Sequence, residues 1–160
     1  MPHVWCDNRS AKTGTRCEVD LLVSELSEIV MWLALAGGTA AAIAALYGHY
    51  YVLPGWLTGP EICRLEDGGC SVLFRSPRSA LLGVPNASLG LALYALLAAG
   101  LAVHVPSWIL LTMTIPAIVM SAFLGRSLIV NGHQCRICWL GHFSNITLFS
   151  LLLVRTIAGR

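Results

Sequence analysis

Cysteine is the residue type in this chain whose spacing could do chemistry. The chain carries six, and four of them form two close pairs, Cys63 with Cys70 and Cys135 with Cys138. The second pair is a Cys-x-x-Cys motif, the spacing typical of thiols that are oxidised and reduced in turn. The first pair encloses a polar, glycine-rich linker that could bend to close a disulfide or move one thiol between partners.

The Cys-x-x-Cys motif lies at the predicted start of an apolar helix. Unpaired backbone N–H groups and the helix dipole stabilise a thiolate there, and Arg136 adds a positive charge. The thiolate is the attacking species in disulfide exchange, so this position favours reactivity. We expect Cys138 to face a hydrophobic electron acceptor and Cys135 to face the aqueous loop.

The elements that position these thiols follow from composition. Of the 160 residues, 56% are hydrophobic and only 11% are charged, whereas a soluble domain carries about 25% charged residues. The chain is therefore predicted to be an all-α integral membrane protein with a single membrane domain. A formal charge of +2 without a basic run gives no support for a nucleic-acid partner.

Gaps between charged residues predict the membrane spans. A crossing helix needs about 20 apolar residues. The gap from Glu28 to Glu61 holds one span, the gap from Arg78 to Arg126 holds two that are divided at Pro106, and the gap from Arg136 to Arg155 holds the last. The predicted spans are residues 29–53, 88–105, 108–130 and 137–154. The domain prediction is a polar tail at 1–28, a four-helix membrane domain at 29–155 and a C-terminal tail at 156–160.

Four crossings place both cysteine pairs on the same side of the membrane, opposite the two termini. The positive-inside rule does not give the orientation, because each side carries five basic residues. Disulfide chemistry persists outside the reducing cytoplasm, so we place the four-cysteine face there. The first 28 residues lack the basic start and apolar core of a cleavable signal, so the first span is expected to act as an uncleaved anchor.

Less reactive interpretations of the cysteines remain open. Two thiol pairs could bind a structural zinc, although the Cys-x6-Cys spacing is long for such a site, or they could form two inert disulfides. We predict no metal. Cys6 and Cys17 are interpreted as cytoplasmic thiols without a set role, because that compartment is reducing.

The order of spans and motifs resembles the vitamin K epoxide reductase family. The resemblance covers about residues 29–155. It depends on three groups of residues: Cys63 and Cys70 followed by Ser71, Phe74 and Ser76; then Gly83, Val84, Pro85, Asn86 and Gly90; then Cys135 and Cys138. The other type of membrane thiol oxidase, the bacterial DsbB family, has its Cys-x-x-Cys before the second pair.

The resemblance implies a fold and a cofactor. The fold is a four-helix bundle with a cysteine-bearing extracytoplasmic loop and a short half-helix, and the bundle encloses a quinone of the menaquinone, ubiquinone or phylloquinone class. Asn86 would hydrogen-bond one quinone oxygen, and Phe74 would form part of the pocket wall. His142 stands where vertebrate members carry a tyrosine that binds the other quinone oxygen.

The resemblance also implies roles for the cysteines. Cys63 and Cys70 would exchange with a thioredoxin-like partner, Cys70 would pass electrons to Cys135, and Cys138 would lie beside the quinone ring. Bacterial members often carry a fused thioredoxin-like domain, and this chain has none, so the partner is expected to be a separate protein.

The predicted function is a thiol:quinone oxidoreductase of the bacterial inner membrane that supports disulfide formation. The alternatives are reduction of vitamin K epoxide in the same site, thiolate metal binding without catalysis, and a structural role for two disulfides.

Overall fold

The computed structural model describes residues 14–51, 80–81, 84–130 and 135–159, with side chains described in the first helix from residue 22. The described part contains four α-helices and one short two-stranded antiparallel ladder. The helices are α1 (Gly14–Tyr50), α2 (Asn86–Ala102), α3 (Ser107–Val130) and α4 (Arg136–Ala158). The strands are β1 (Ala80–Leu81) and β2 (Val84–Pro85), paired Ala80 with Pro85 and Leu81 with Val84.

Within the described ranges, three helices are long and apolar enough to cross a membrane: Leu22–Tyr50 within α1, and the whole of α3 and α4. α2 is apolar but has only 17 residues, which corresponds to about 25 Å against a hydrocarbon core of about 30 Å. The three long apolar helices confirm the prediction of an integral membrane protein. A fourth crossing stays a prediction, as do the domain boundaries at residues 28 and 155.

The predicted helix ends agree with the structure near Pro106 and differ in α1. The chain leaves α2 through His104, whose φ of 58° is left-handed, and the N–H of Val105 donates to the carbonyl of Gly100 at 2.8 Å. Pro106 follows, and α3 begins at Ser107. α1 begins at Gly14, whereas the predicted membrane span begins at residue 29. The two differ because a charge gap marks the apolar segment, and the helix continues into the charged residues before it.

The helices pack as an antiparallel bundle in which α4 lies between α1 and α3. α1 contacts α2 and α4 most extensively, α4 contacts α3, and α2 contacts α3 less. Small residues allow α1 to approach α4 closely: a side-chain carbon added to Gly37 would lie 3.4 Å from Ser144, and one added to Gly141 would lie 3.8 Å from Ala41. Close approach over small residues is typical of helix pairs in membranes, where dispersion contacts replace the hydrophobic effect.

The bundle buries a core near the end where α4 finishes. Its buried members come from all four helices, and they are Met31, Leu35, Ala42, Tyr94, Leu97, Leu110, Leu148 and Leu152. Many large apolar side chains point outward instead, among them Leu33, Val119, Phe123 and Ile129. In a membrane protein these outward side chains contact lipid, so they do not mark a missing core.

One polar contact joins α1 and α4 beside this core. A guanidinium nitrogen of Arg155 lies 3.4 Å from the Ser27 hydroxyl and 3.9 Å from a Glu28 carboxylate oxygen. Both charged side chains are partly exposed, so the ion pair contributes little stability. It shows that the C-terminal end of α4 lies beside the early part of α1, at the opposite end of the bundle from Cys135.

Gly38 of α1 is the position where the bundle is least tolerant of a side chain. A Cβ there would lie 2.4 Å from Cζ of Tyr94 on α2. We expect Gly38→Ala to lower the free energy of unfolding by about 1–3 kcal/mol, as overpacking does. The matched control is Gly90→Ala on α2, where the added carbon meets Tyr94 at an ordinary 4.0 Å. Thermal unfolding in detergent measures both, and equal midpoints for the two variants would contradict the packing.

Candidate redox site

Cys135 and Cys138 form the first turn of α4. Cys135 is the N-cap residue, with φ −104° and ψ 107°, and its sulfur accepts the backbone N–H of Cys138 at 3.4 Å. The two Sγ atoms lie 2.7 Å apart, close to the roughly 2.05 Å of a disulfide bond. The structure confirms that the motif begins a helix and places the two sulfurs where they can bond to each other.

The two thiols differ in exposure. Cys135 is 1% exposed and packs with Ala41, Leu128 and Ile137, whereas Cys138 is half-buried beside the same cluster. We expected Cys135 to face the aqueous loop. The structure buries it instead, because an N-cap side chain folds back over the first helical turn, and here that turn is covered by α1 and α3.

His142 lies one turn after Cys138 on the same face of α4, as residues four apart do. It is half-buried. Gly125 of α3 lies beside it, and a Cβ on that glycine would be 3.8 Å from Cδ2 of His142. The indole of Trp139 meets the imidazole edge-on with ring centroids 6.1 Å apart, and Trp139 also stacks on Phe143 at 5.6 Å. These contacts leave His142 between Gly125 of α3 and the indole of Trp139.

A chain of hydrogen bonds crosses the bundle further along α4. The Tyr94 hydroxyl donates to Oδ1 of Asn145 at 2.7 Å, and Nδ2 of Asn145 donates to the Ser121 hydroxyl at 2.8 Å. The chain thus joins α2, α4 and α3. Sequence analysis missed Tyr94 and Ser121, although each is one of the few polar residues in a mostly apolar helix.

These hydrogen bonds also fix the level of Asn86 in the bundle. α2 and α4 run in the same direction, since each is antiparallel to α1. Asn86 precedes Tyr94 by eight residues, and Cys138 precedes Asn145 by seven. At 1.5 Å per residue these are about 12 Å and about 10 Å along the helix axes. By this count we expect Asn86 and Cys138 near the same end of the bundle, with His142 one turn further inside.

Several predicted site residues fall outside the described part of the chain. These are Cys63, Cys70 and Phe74, together with Cys6, and the side chain of Cys17 is not described. The structure therefore does not test their roles. Within the described ranges, no three His, Cys, Asp or Glu side chains gather as metal ligands. The zinc alternative would need Cys63 and Cys70.

Comparison with known proteins gives one family. A search of curated proteins and a search of solved structures each return no significant match. The family model for the vitamin K epoxide reductase family matches residues 22–153, which is most of the chain and includes every helix that contributes to the redox site. Members of this family are membrane-embedded oxidoreductases that use quinones. With its thiol pair at the start of an apolar helix inside a membrane bundle, the chain belongs to the vitamin K epoxide reductase family.

Proposed function

We propose that this protein is a membrane thiol:quinone oxidoreductase that supports the formation of protein disulfides. The observation that carries the proposal is the start of α4, where two sulfurs lie 2.7 Å apart and His142 follows one turn inside the bundle. Family membership supports an oxidoreductase, and the closeness of the sulfurs supports reversible disulfide formation between them.

The proposed reaction balances as a two-electron transfer. The Cys135 and Cys138 thiols lose two electrons and two protons as they form a disulfide, and the acceptor gains both as it becomes a quinol. Cys138 is the thiol nearer His142, and it is the more exposed of the pair. We therefore assign Cys138 as the thiol that meets the acceptor.

The described surroundings of Cys138 suit a quinone. It packs against the cluster of Ala41, Leu128, Cys135 and Ile137, which presents no formal charge to a flat apolar ring. Asn86 begins α2 at the same end of the bundle, and His142 lies one turn further inside than Cys138. We propose Asn86 and His142 as hydrogen-bonding groups and Phe74 as part of the wall. The class of quinone stays open among menaquinone, ubiquinone and phylloquinone.

Electrons would enter from the loop pair. We propose that a separate thioredoxin-like protein reduces the Cys63–Cys70 disulfide and that Cys70 then reduces Cys135. The burial of Cys135 supports a donor that belongs to this chain, because a thiol that is 1% exposed is poorly accessible to another protein. In this proposal all four helices cross the bacterial inner membrane, with the four cysteines outside the cytoplasm.

Reduction of vitamin K epoxide is the second candidate, and the family to which the chain belongs favours it. The same two thiols would supply two electrons, the epoxide oxygen would leave as water, and the quinone would be the product. The two candidates differ only in the acceptor. Offering the purified protein each acceptor separately distinguishes them.

Replacing a thiol of the helix-start pair should abolish turnover. With a small dithiol as donor, we expect Cys135→Ala and Cys138→Ala to lower the rate of quinone reduction by more than about 100-fold, because neither variant can form the disulfide. Quinol formation is followed by absorbance. Cys17→Ser is the matched control and should keep the wild-type rate. Wild-type rates in Cys138→Ala would contradict the proposal.

Replacing Cys63 should affect reduction by one electron donor and leave reduction by another unchanged. We expect Cys63→Ala to stop reduction by a thioredoxin-like protein, whereas a small dithiol still reaches Cys135 and Cys138 directly. Rates with the two donors are compared in the same preparation. An equal loss with both donors would mean that the order of the relay is wrong.

The imidazole of His142 should contribute one hydrogen bond. His142→Phe keeps an aromatic ring beside Gly125 and removes that bond, so we expect the KM for quinone to rise about 3- to 10-fold. His142→Tyr restores a donor and should recover most of the loss. Steady-state kinetics at varied quinone concentration provide the test, and equal KM values for the Phe and Tyr variants would exclude the bond.

A further inference from the structure

Tyr94, Asn145 and Ser121 form an interhelical network that the reaction itself does not use. Asn145 is its centre, since its oxygen accepts from Tyr94 and its nitrogen donates to Ser121. Tyr94 is 4% exposed and packs so closely on Gly38 that no side chain fits there. The Tyr94 hydroxyl also lies 3.5 Å from the carbonyl oxygen of Gly141 on α4. All four helices therefore meet at this network.

The network lies on the same helical face as the redox residues. Cys138, His142 and Asn145 stand at positions i, i+4 and i+7 of α4, which share one face of an α-helix. A shift of one residue would turn the helix by about 100°. Such a shift would carry the Cys138 thiol and the His142 ring away from α3 together.

Hydrophobicity alone cannot hold that face in place. Lipid tails are as apolar as leucine side chains, so rotating a helix in a membrane changes little apolar transfer energy. Directional contacts must then select the rotation. In α4 the described contacts of this kind are the small-residue approach to α1, the contact of Arg155 with Ser27 and Glu28 at the far end, and the hydrogen bonds that Tyr94 and Ser121 make with Gly141 and Asn145. Asn145 alone among these α4 side chains is hydrogen-bonded to two other helices.

We propose that Asn145 is a positioning residue, which sets the rotation and depth of α4 and thereby directs Cys138 and His142 toward the electron acceptor. This inference rests on the proposed function, because it concerns the thiol-to-acceptor step. We assign Asn145 no contact with the acceptor, because each end of its amide already has a partner, Tyr94 at the oxygen and Ser121 at the nitrogen.

The test separates the two half-reactions in the full-length protein. Asn145→Leu removes both hydrogen bonds at similar volume. We expect oxidation of the reduced protein by saturating quinone to slow about 10-fold or more, because small misplacements of reacting groups are costly. Reduction of the Cys135–Cys138 disulfide by a small dithiol should stay within about twofold of wild type, because that pair lies within one turn of α4.

Milder variants keep the test decisive if Asn145→Leu folds poorly. Tyr94→Phe and Ser121→Ala each remove one hydrogen bond and should slow the quinone step less. Combining Tyr94→Phe with Asn145→Leu should add little, since both act on one contact. Ser144→Ala is the matched control: Ser144 is buried beside Asn145 but lies next to Gly37 rather than in the network.

The outcomes distinguish this inference from the proposed function. Equal slowing of both half-reactions, or a wild-type quinone step per folded molecule in Asn145→Leu, would overturn the positioning role alone. A wild-type protein without cysteine-dependent quinone reduction would overturn the proposed function and this inference with it.

Discussion

The position of α4 between α1 and α3 determines every described feature of the redox site. α4 carries both thiols and His142, and α1 and α3 supply what surrounds them. The approach is close because Gly37, Ala41 and Gly141 are small. It is directional because Asn145 hydrogen-bonds to two neighbouring helices. Without these contacts, an apolar helix in lipid would have no preferred face.

The same packing restricts which electron donors can reach the thiol pair. Residues of α1 and α3 cover Cys135, and Cys138 is half-buried one turn further on. A buried thiol pair is protected from unintended thiol–disulfide exchange with other proteins. Small dithiols, the electron acceptor and a segment of the same chain are the reagents that can still reach it. The relay proposed above, in which Cys63 and Cys70 of the same chain act as the donor, is consistent with that restriction.

Much of this arrangement could be predicted from the sequence, because charged residues are excluded from lipid. The charge gaps predicted all four helices, and Pro106 predicted the break between α2 and α3. Topology alone placed Cys135 opposite the termini, and the contact of Arg155 with Glu28 at the other end of the bundle agrees with that. The helix start at the Cys-x-x-Cys motif was predicted as well.

Other features depend on how each helix is rotated about its axis and how deeply it lies in the bundle. An apolar sequence does not encode these two quantities clearly. Asn145 was recognisable as a buried polar residue, but its partners Tyr94 and Ser121 follow only from how three helices are turned. The burial of Cys135 depends on its folding back as an N-cap beneath two neighbours. The close contact of Gly38 with Tyr94 likewise requires the packed bundle.

A single-turnover experiment tests the central claim most directly. Fully reduced protein carrying Cys63→Ala and Cys70→Ala, which cannot pass the disulfide on to a second thiol pair, is mixed anaerobically with one equivalent of quinone, quenched with an alkylating reagent at increasing times, and analysed by peptide mass spectrometry. The account predicts one Cys135–Cys138 disulfide for each quinol, appearing at the same rate. Quinol that forms while both of these cysteines remain alkylatable would contradict it.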